Sequence, residues 1–80
     1  MFYVYILKSL KDLKKYVGLT NNIQKRLNEH NEGKCKATRN RKPFELIYHE
    51  TFSTRQVAAE REKFLKTGKG REFIKVTLKL

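Results

Sequence analysis

The 80-residue chain is long enough for one small domain and no more. Its 19 Lys and Arg outnumber 8 Asp and Glu, for a net charge of +11 and a pI near 10.1, the footprint of a nucleic-acid binder. Composition excludes an apolar membrane span, an internal disulfide and a multi-cysteine zinc site, and no long basic amphipathic stretch suits a bilayer surface, so no membrane partner is expected.

Phe2 to Leu7 is aromatic and β-branched, which predicts a strand. Strand side chains alternate, so Phe2, Val4 and Ile6 take one face and Tyr3, Tyr5 and Leu7 the other. Apolar groups on both faces require cover on both faces. Lys11-Asp12 reads as a turn, and Lys15 to Leu19 as the returning strand of a hairpin. Thr20-Asn21-Asn22 offers N-cap side chains for a helix from about Ile23 to His30.

Residues 31 to 43 form a polar loop with Lys34, Lys36, Arg39, Arg41 and Lys42, closed by Pro43. Cys35 lies among these lysines, which favour its thiolate. Phe44 to Phe52 reads as a third strand with Phe44, Leu46, Tyr48 and Phe52 on one face. Ser53 to Gln56 fits a capping box with Ser53 at the N-cap, opening a helix to about Lys66. Thr67-Gly68-Lys69-Gly70 breaks it, and a last short helix starts near Arg71. The order β-β-α-β-α-α describes one α+β domain, residues 1–80, with a small three-stranded, mainly antiparallel sheet.

A helical wheel locates the polar side chains that could do chemistry. With Ile23 at zero, Leu27 lies at about 40°, His30 at about −20° and Arg26 at about −60°. Arg26 and His30 therefore border the buried stripe. In the second helix, with Ala58 at zero, Glu62 lies at about 40° and Leu65 at about −20°, whereas Glu60 points away at about 200°. An inward carboxylate needs a partner: Arg26 in a structural ion pair, or a divalent metal with phosphate oxygens. Tyr5 and Tyr16 share strand parity in a regular hairpin. Gly18, two residues after Tyr16, leaves open space or lets backbone approach a ligand. Arg26 and His30 would lower the pKa of a nearby phenol. A phenol, a guanidinium, an imidazole and a carboxylate on one side of a small sheet suit phosphodiester cleavage.

On these residues the chain resembles the GIY-YIG nuclease domains. The first motif appears as Tyr3-Val4-Tyr5 and the second as Tyr16-Val17-Gly18. Arg26 follows the second tyrosine at the family's spacing, His30 follows one helical turn later, and Glu62 takes the place of the metal-binding glutamate. The resemblance is closest to small stand-alone bacterial members, similar to the N-terminal nuclease domain of the bacterial excinuclease. It implies an endonuclease that hydrolyses DNA with one Mg2+ or Mn2+ held by Glu62, in repair or processing. Tyr16 would be the general base with help from His30. Arg26 would stabilise the transition state, and Tyr5 would orient water or phosphate. Lys34, Lys36, Arg39, Arg41, Lys42, Lys69 and Arg71 would track the nucleic-acid backbone. Branched or single-stranded DNA are the candidate substrates, with specificity supplied by a partner protein or domain. Leu19 stands where excinuclease-type relatives carry a lysine, whose role would pass to Lys15 or Lys25. The alternative is a binding module of the same fold with little cleavage. No secretory signal opens the chain, so a cytoplasmic location is the default expectation.

Overall fold

The computed structural model describes residues 1–78. The strands are β1 (Phe2–Ser9), β2 (Lys15–Thr20) and β3 (Phe44–Phe52), and the helices are α1 (Ile23–Asn31), α2 (Arg55–Leu65) and α3 (Gly68–Leu78). The sheet is antiparallel throughout, in the order β2-β1-β3. β1 is therefore central, which explains its unbroken apolar run: both of its faces are covered. Val4 and Ile6 pack on Ala58 and Leu65 of α2 and Ile74 of α3. Tyr5 and Leu7 pack with Phe44 on the other face, where Leu27 of α1 closes the cluster. The result is three layers, with α1 on one side of the sheet and α2 and α3 on the other.

Three local expectations give way. The third strand does not keep one parity. Ile6 pairs with Tyr48 and Leu7 with Leu46, so Ile47 is an extra residue in a β-bulge. Phe44 and Leu46 accordingly face α1, whereas Tyr48 and Phe52 face α2 and α3. The N-cap of α2 is Thr54, not Ser53. The Thr54 hydroxyl accepts from the Val57 amide, so the cap moves by one residue and, with Val57 at N3, is a simple N-cap and not the predicted box.

The third shift concerns Gly68 and Gly70, which do not precede α3 but form its first turn. Thr67 Oγ1 accepts from the Gly70 amide and starts the helix directly after α2. A Cβ on Gly70 would overlap the Phe64 carbonyl, so only glycine lets the two helices approach this closely. By contrast α1 starts as predicted, with Asn22 Oδ1 accepting from the Lys25 amide at 3.1 Å.

Candidate active site

Tyr5 pairs with Gly18 and Leu7 with Tyr16 across the hairpin, so both tyrosines project from the α1 face. A Cβ on Gly18 would overlap the Tyr5 hydroxyl and ring. The space that glycine leaves is thus filled by the Tyr5 phenol; it is not open to a ligand.

α1 lays His30 against this pair. The imidazole is fully buried, with Tyr5 Oη 3.0 Å from Nε2 and Thr38 Oγ1 2.7 Å from Nδ1. Burial pushes the His30 pKa down from 6.5, and the Arg26 charge pushes it the same way. The ring is therefore neutral at neutral pH, one nitrogen donating and the other accepting. Tyr5 is 2% exposed, and burial pushes its pKa up to about 12 despite the opposing pull of Arg26. The expected lowering of the phenol is reversed at Tyr5, because desolvation outweighs the nearby cation. Tyr16 is half-buried at the edge strand. Its ring stands edge-on to His30 at 5.1 Å and tilted to Tyr5 at 6.5 Å. His30 therefore supports Tyr16 by packing. Both of its nitrogens are already engaged, which argues against its helping as a base.

Arg26 leaves the buried stripe as the wheel predicts, but its carboxylate partner is Glu29 on the same helix, at 3.0 Å, not Glu62. A second guanidinium nitrogen lies 3.7 Å from Cys35 Sγ. Tyr5, then Glu29, hold Arg26 firmly protonated. Burial raises the Cys35 pKa, but the Thr38 and Ala37 hydrogen bonds and the Arg26 charge outweigh it, and the net direction is down. Arg26 also lines a cleft of about 300 Å³ with Lys25 of α1, Leu19 of β2 and Arg55 at the start of α2. Leu19 also packs against the core on the α2 face, and Lys25 lines the same cleft as Arg26.

Glu62 is not joined to these groups by a hydrogen bond or ion pair among the described residues. Its carboxylate takes Lys66 Nζ at 2.9 Å, one helical turn on. α2 packs on the sheet face opposite α1, so Glu62 cannot meet Tyr5 and His30 through the sheet. α2 also contacts β2, the open edge of the sheet. There Tyr16 and Lys66 line one cleft of about 650 Å³, together with Arg71 and Lys75. Among the described residues, no three His, Cys, Asp or Glu side chains gather into a ready-made metal cluster.

The basic residues separate by role. Lys36, Arg39, Lys42 and Lys69 are exposed, and Lys34 is exposed but paired with Glu32 at 3.0 Å. Arg41 departs from the expected backbone-tracking role. Its Nε donates to Asp12 at 2.9 Å, its guanidinium lies over Phe44 at 5.6 Å, and its carbonyl accepts from the buried Ser9 hydroxyl at 2.5 Å. It pins the 31–43 loop to the hairpin.

Sequence reasoning missed three groups. Thr38, the second partner of His30, is one polar residue in a polar loop and carries no signal. Ser9 reads as a strand end. The bidentate Arg61–Glu50 pair, at 2.8 and 3.0 Å, joins α2 to β3 with Arg61 stacked on Phe73 at 4.7 Å. The alternation of β3 across its bulge hides that contact.

Comparison with known proteins shows the family. A family model described as the GIY-YIG catalytic domain matches residues 1–74. A UPF0213 protein of Bacillus pumilus is 50% identical over 66 residues, covering 81% of this chain and 66% of the relative. One from Clostridium perfringens is 48% identical over 67 residues, covering 82% and 71%. The chain thus spans about two thirds of the length of these curated relatives. The solution NMR structure of a UPF0213 protein from Bacillus halodurans superposes with a TM-score of 0.57 at 36% identity, covering 99% of this chain and 86% of that one.

Proposed function

The chain belongs to the GIY-YIG family, and from that membership we propose that it is a metal-dependent endonuclease that hydrolyses phosphodiester bonds in DNA. The observation that carries the reading is the packing of Tyr16 on the Tyr5–His30 pair with Arg26 beside it. These four groups sit at the family's motif positions, and their chemistry suits attack on a phosphate.

Tyr16, half-buried on the edge strand, is the general base that takes the proton of the attacking water on its phenol oxygen. Arg26 offers guanidinium donors to the charge that develops on the phosphate oxygens. Tyr5 and His30 are too buried to touch substrate; they fix the orientation of the Tyr16 ring and the Arg26 fork. Glu62 suits a metal ligand, because its carboxylate is partly exposed and tied only to a lysine on the same helix. Mg2+ is commonly held by one or two carboxylates together with substrate phosphates, so a lone carboxylate fits a cation that binds with the substrate. Such an ion would neutralise phosphate charge and acidify a bound water. The exposed Lys36, Arg39, Lys42 and Lys69 supply the electrostatic attraction for the backbone.

Supercoiled-plasmid nicking with Mg2+ or Mn2+ tests the proposal. Wild type nicks, and Glu62→Ala and Arg26→Gln do not. Equal nicking by wild type and both variants would mark a contaminant and end the nuclease reading.

One observation favours the binding-module alternative: Glu62 is engaged by Lys66, and among the described residues no group of three His, Cys, Asp or Glu side chains gathers to hold a metal. In that case no variant nicks, and DNA affinity still falls steeply with salt. Affinity indifferent to salt would exclude both readings.

A further inference from the structure

The 650 Å³ cleft between the hairpin and the two C-terminal helices has a chemistry that backbone tracking does not explain. Its floor is apolar, built from Val17, Leu65 and Ile74. Around it stand five cations, Lys14, Lys15, Lys66, Arg71 and Lys75, and no lining residue is acidic. A duplex offers this surface only its phosphates. An unpaired nucleotide offers a flat apolar base for the floor and a phosphate for the rim. The volume lies in the range of pockets that enclose small ligands.

The rim carries a second, independent signal. Leu13 lies at the hairpin tip with φ of 62°, and 63% of its surface is exposed. The left-handed region disfavours a leucine, and glycine or asparagine would take it more readily. The turn is closed by main-chain bonds from the Leu13 amide to the Ser9 carbonyl and from the Ser9 amide to the Lys14 carbonyl, both 2.9 Å. Neither needs this side chain, and the core does not use it. The leucine instead lines the cleft as an apolar lip.

From cleft and lip together we infer that this groove is a subsite for an unpaired nucleotide, holding its base between Leu13 and the apolar floor and its phosphate among the rim lysines. The inference rests on the nuclease reading for its purpose. Tyr16 borders the same groove from the edge strand, its ring turned to the α1 face, so a nucleotide seated there lies around that strand edge from the phenol. The substrate class that follows is nucleic acid with a single-stranded segment beside the scissile phosphate.

Binding is measured by fluorescence anisotropy in EDTA, so that no cleavage intervenes. The probes are a blunt duplex and the same duplex with a single-stranded overhang. Wild type should prefer the overhang by about tenfold, the effect of roughly 55 Å² of apolar surface leaving water. Leu13→Asn keeps the left-handed turn and should melt no lower than wild type, yet bring the two probes within about twofold. A ribonucleotide overhang separates the two sources of an unpaired base: a Leu13-dependent preference for DNA or RNA overhangs supports the subsite and names its ligand. No overhang preference in wild type, or a preference that survives Leu13→Asn, overturns it. Plasmid nicking without overhang preference would sink the subsite alone. Overhang preference without nicking would sink the nuclease reading alone.

Discussion

The Tyr5 hydroxyl lies 3.0 Å from Nε2 of His30, twenty-five residues along the chain, and neither side chain has appreciable contact with solvent. Both are therefore interior residues, and on the proposed reading their influence on a substrate passes through Tyr16 and Arg26. The pair ties β1 to α1, and Thr38 extends the tie to the basic loop.

Tyr5→Phe keeps the ring and removes the hydroxyl, leaving a buried imidazole nitrogen unpaired. The expected loss is about 1–3 kcal/mol, read as a shift of the urea midpoint at constant slope. Plasmid nicking should fall as well. Unchanged stability would mean that water or a rotated Thr38 satisfies His30.

Gly18→Ala forces a methyl group into the space of the Tyr5 phenol. The ring has no room to retreat, so the cost is about 1–3 kcal/mol, of the kind seen on overpacking a core. The tyrosine near-ultraviolet dichroism should change with it. A neutral substitution would show that the hairpin can open at its edge strand.

Stability should fall as pH drops below about 6.5. His30 is held neutral in the fold, first by burial and then by Arg26, with the weaker opposing pull of Glu29. The unfolded chain takes up a proton near the ordinary value of 6.5 while the folded chain resists, so protons favour unfolding. The lowered carboxylates Asp12, Glu29 and Glu50 act only below their ordinary range, so the interval between about pH 6.5 and 5 reports His30. Urea midpoints across that interval should slope for wild type and be flat for His30→Gln. Equal slopes would remove His30 as the cause.

Glu50 and Glu62 should separate structure from chemistry. Glu50 takes Arg61 in a bidentate, mostly buried pair and accepts from the Tyr48 hydroxyl, so Glu50→Ala should cost about 1–3 kcal/mol and leave the nicking rate per folded molecule unchanged. Glu62 has one exposed lysine on its own helix, a pair worth about 0.3–0.5 kcal/mol. Glu62→Ala should therefore barely move the melting temperature while abolishing nicking. The reverse pattern would make Glu62 a structural residue.

Much of the fold was legible in local patterns. An apolar run with no polar face announced a central strand, and β1 is central because helices cover both its sides. The limits of β3 and the capping of α1 by Asn22 follow from turn and cap chemistry that acts within a few residues. Arg26 bordered the stripe on the helical wheel and does so in the fold, whereas His30, expected at its border, is the most buried residue of α1. The bulge at Ile47 was not legible, because an extra residue in a strand is set by its pairing partner. The start of α3 at Gly68 was missed because glycine reads locally as a break, whereas the close approach to Phe64 is a tertiary demand.

The sequence by itself determined which residues could carry the chemistry, since residue type, spacing and helical phase are properties of one chain segment. Only the tertiary structure decided what each one does. It buried Tyr5 and His30 and raised the phenol, because desolvation depends on what covers a group. It gave Arg26 to Glu29 and sent Glu62 to the far face of the sheet. It also set the basic cleft of α2 and α3 against the open edge of β2, because strand order and helix packing are decided by contacts distant in sequence.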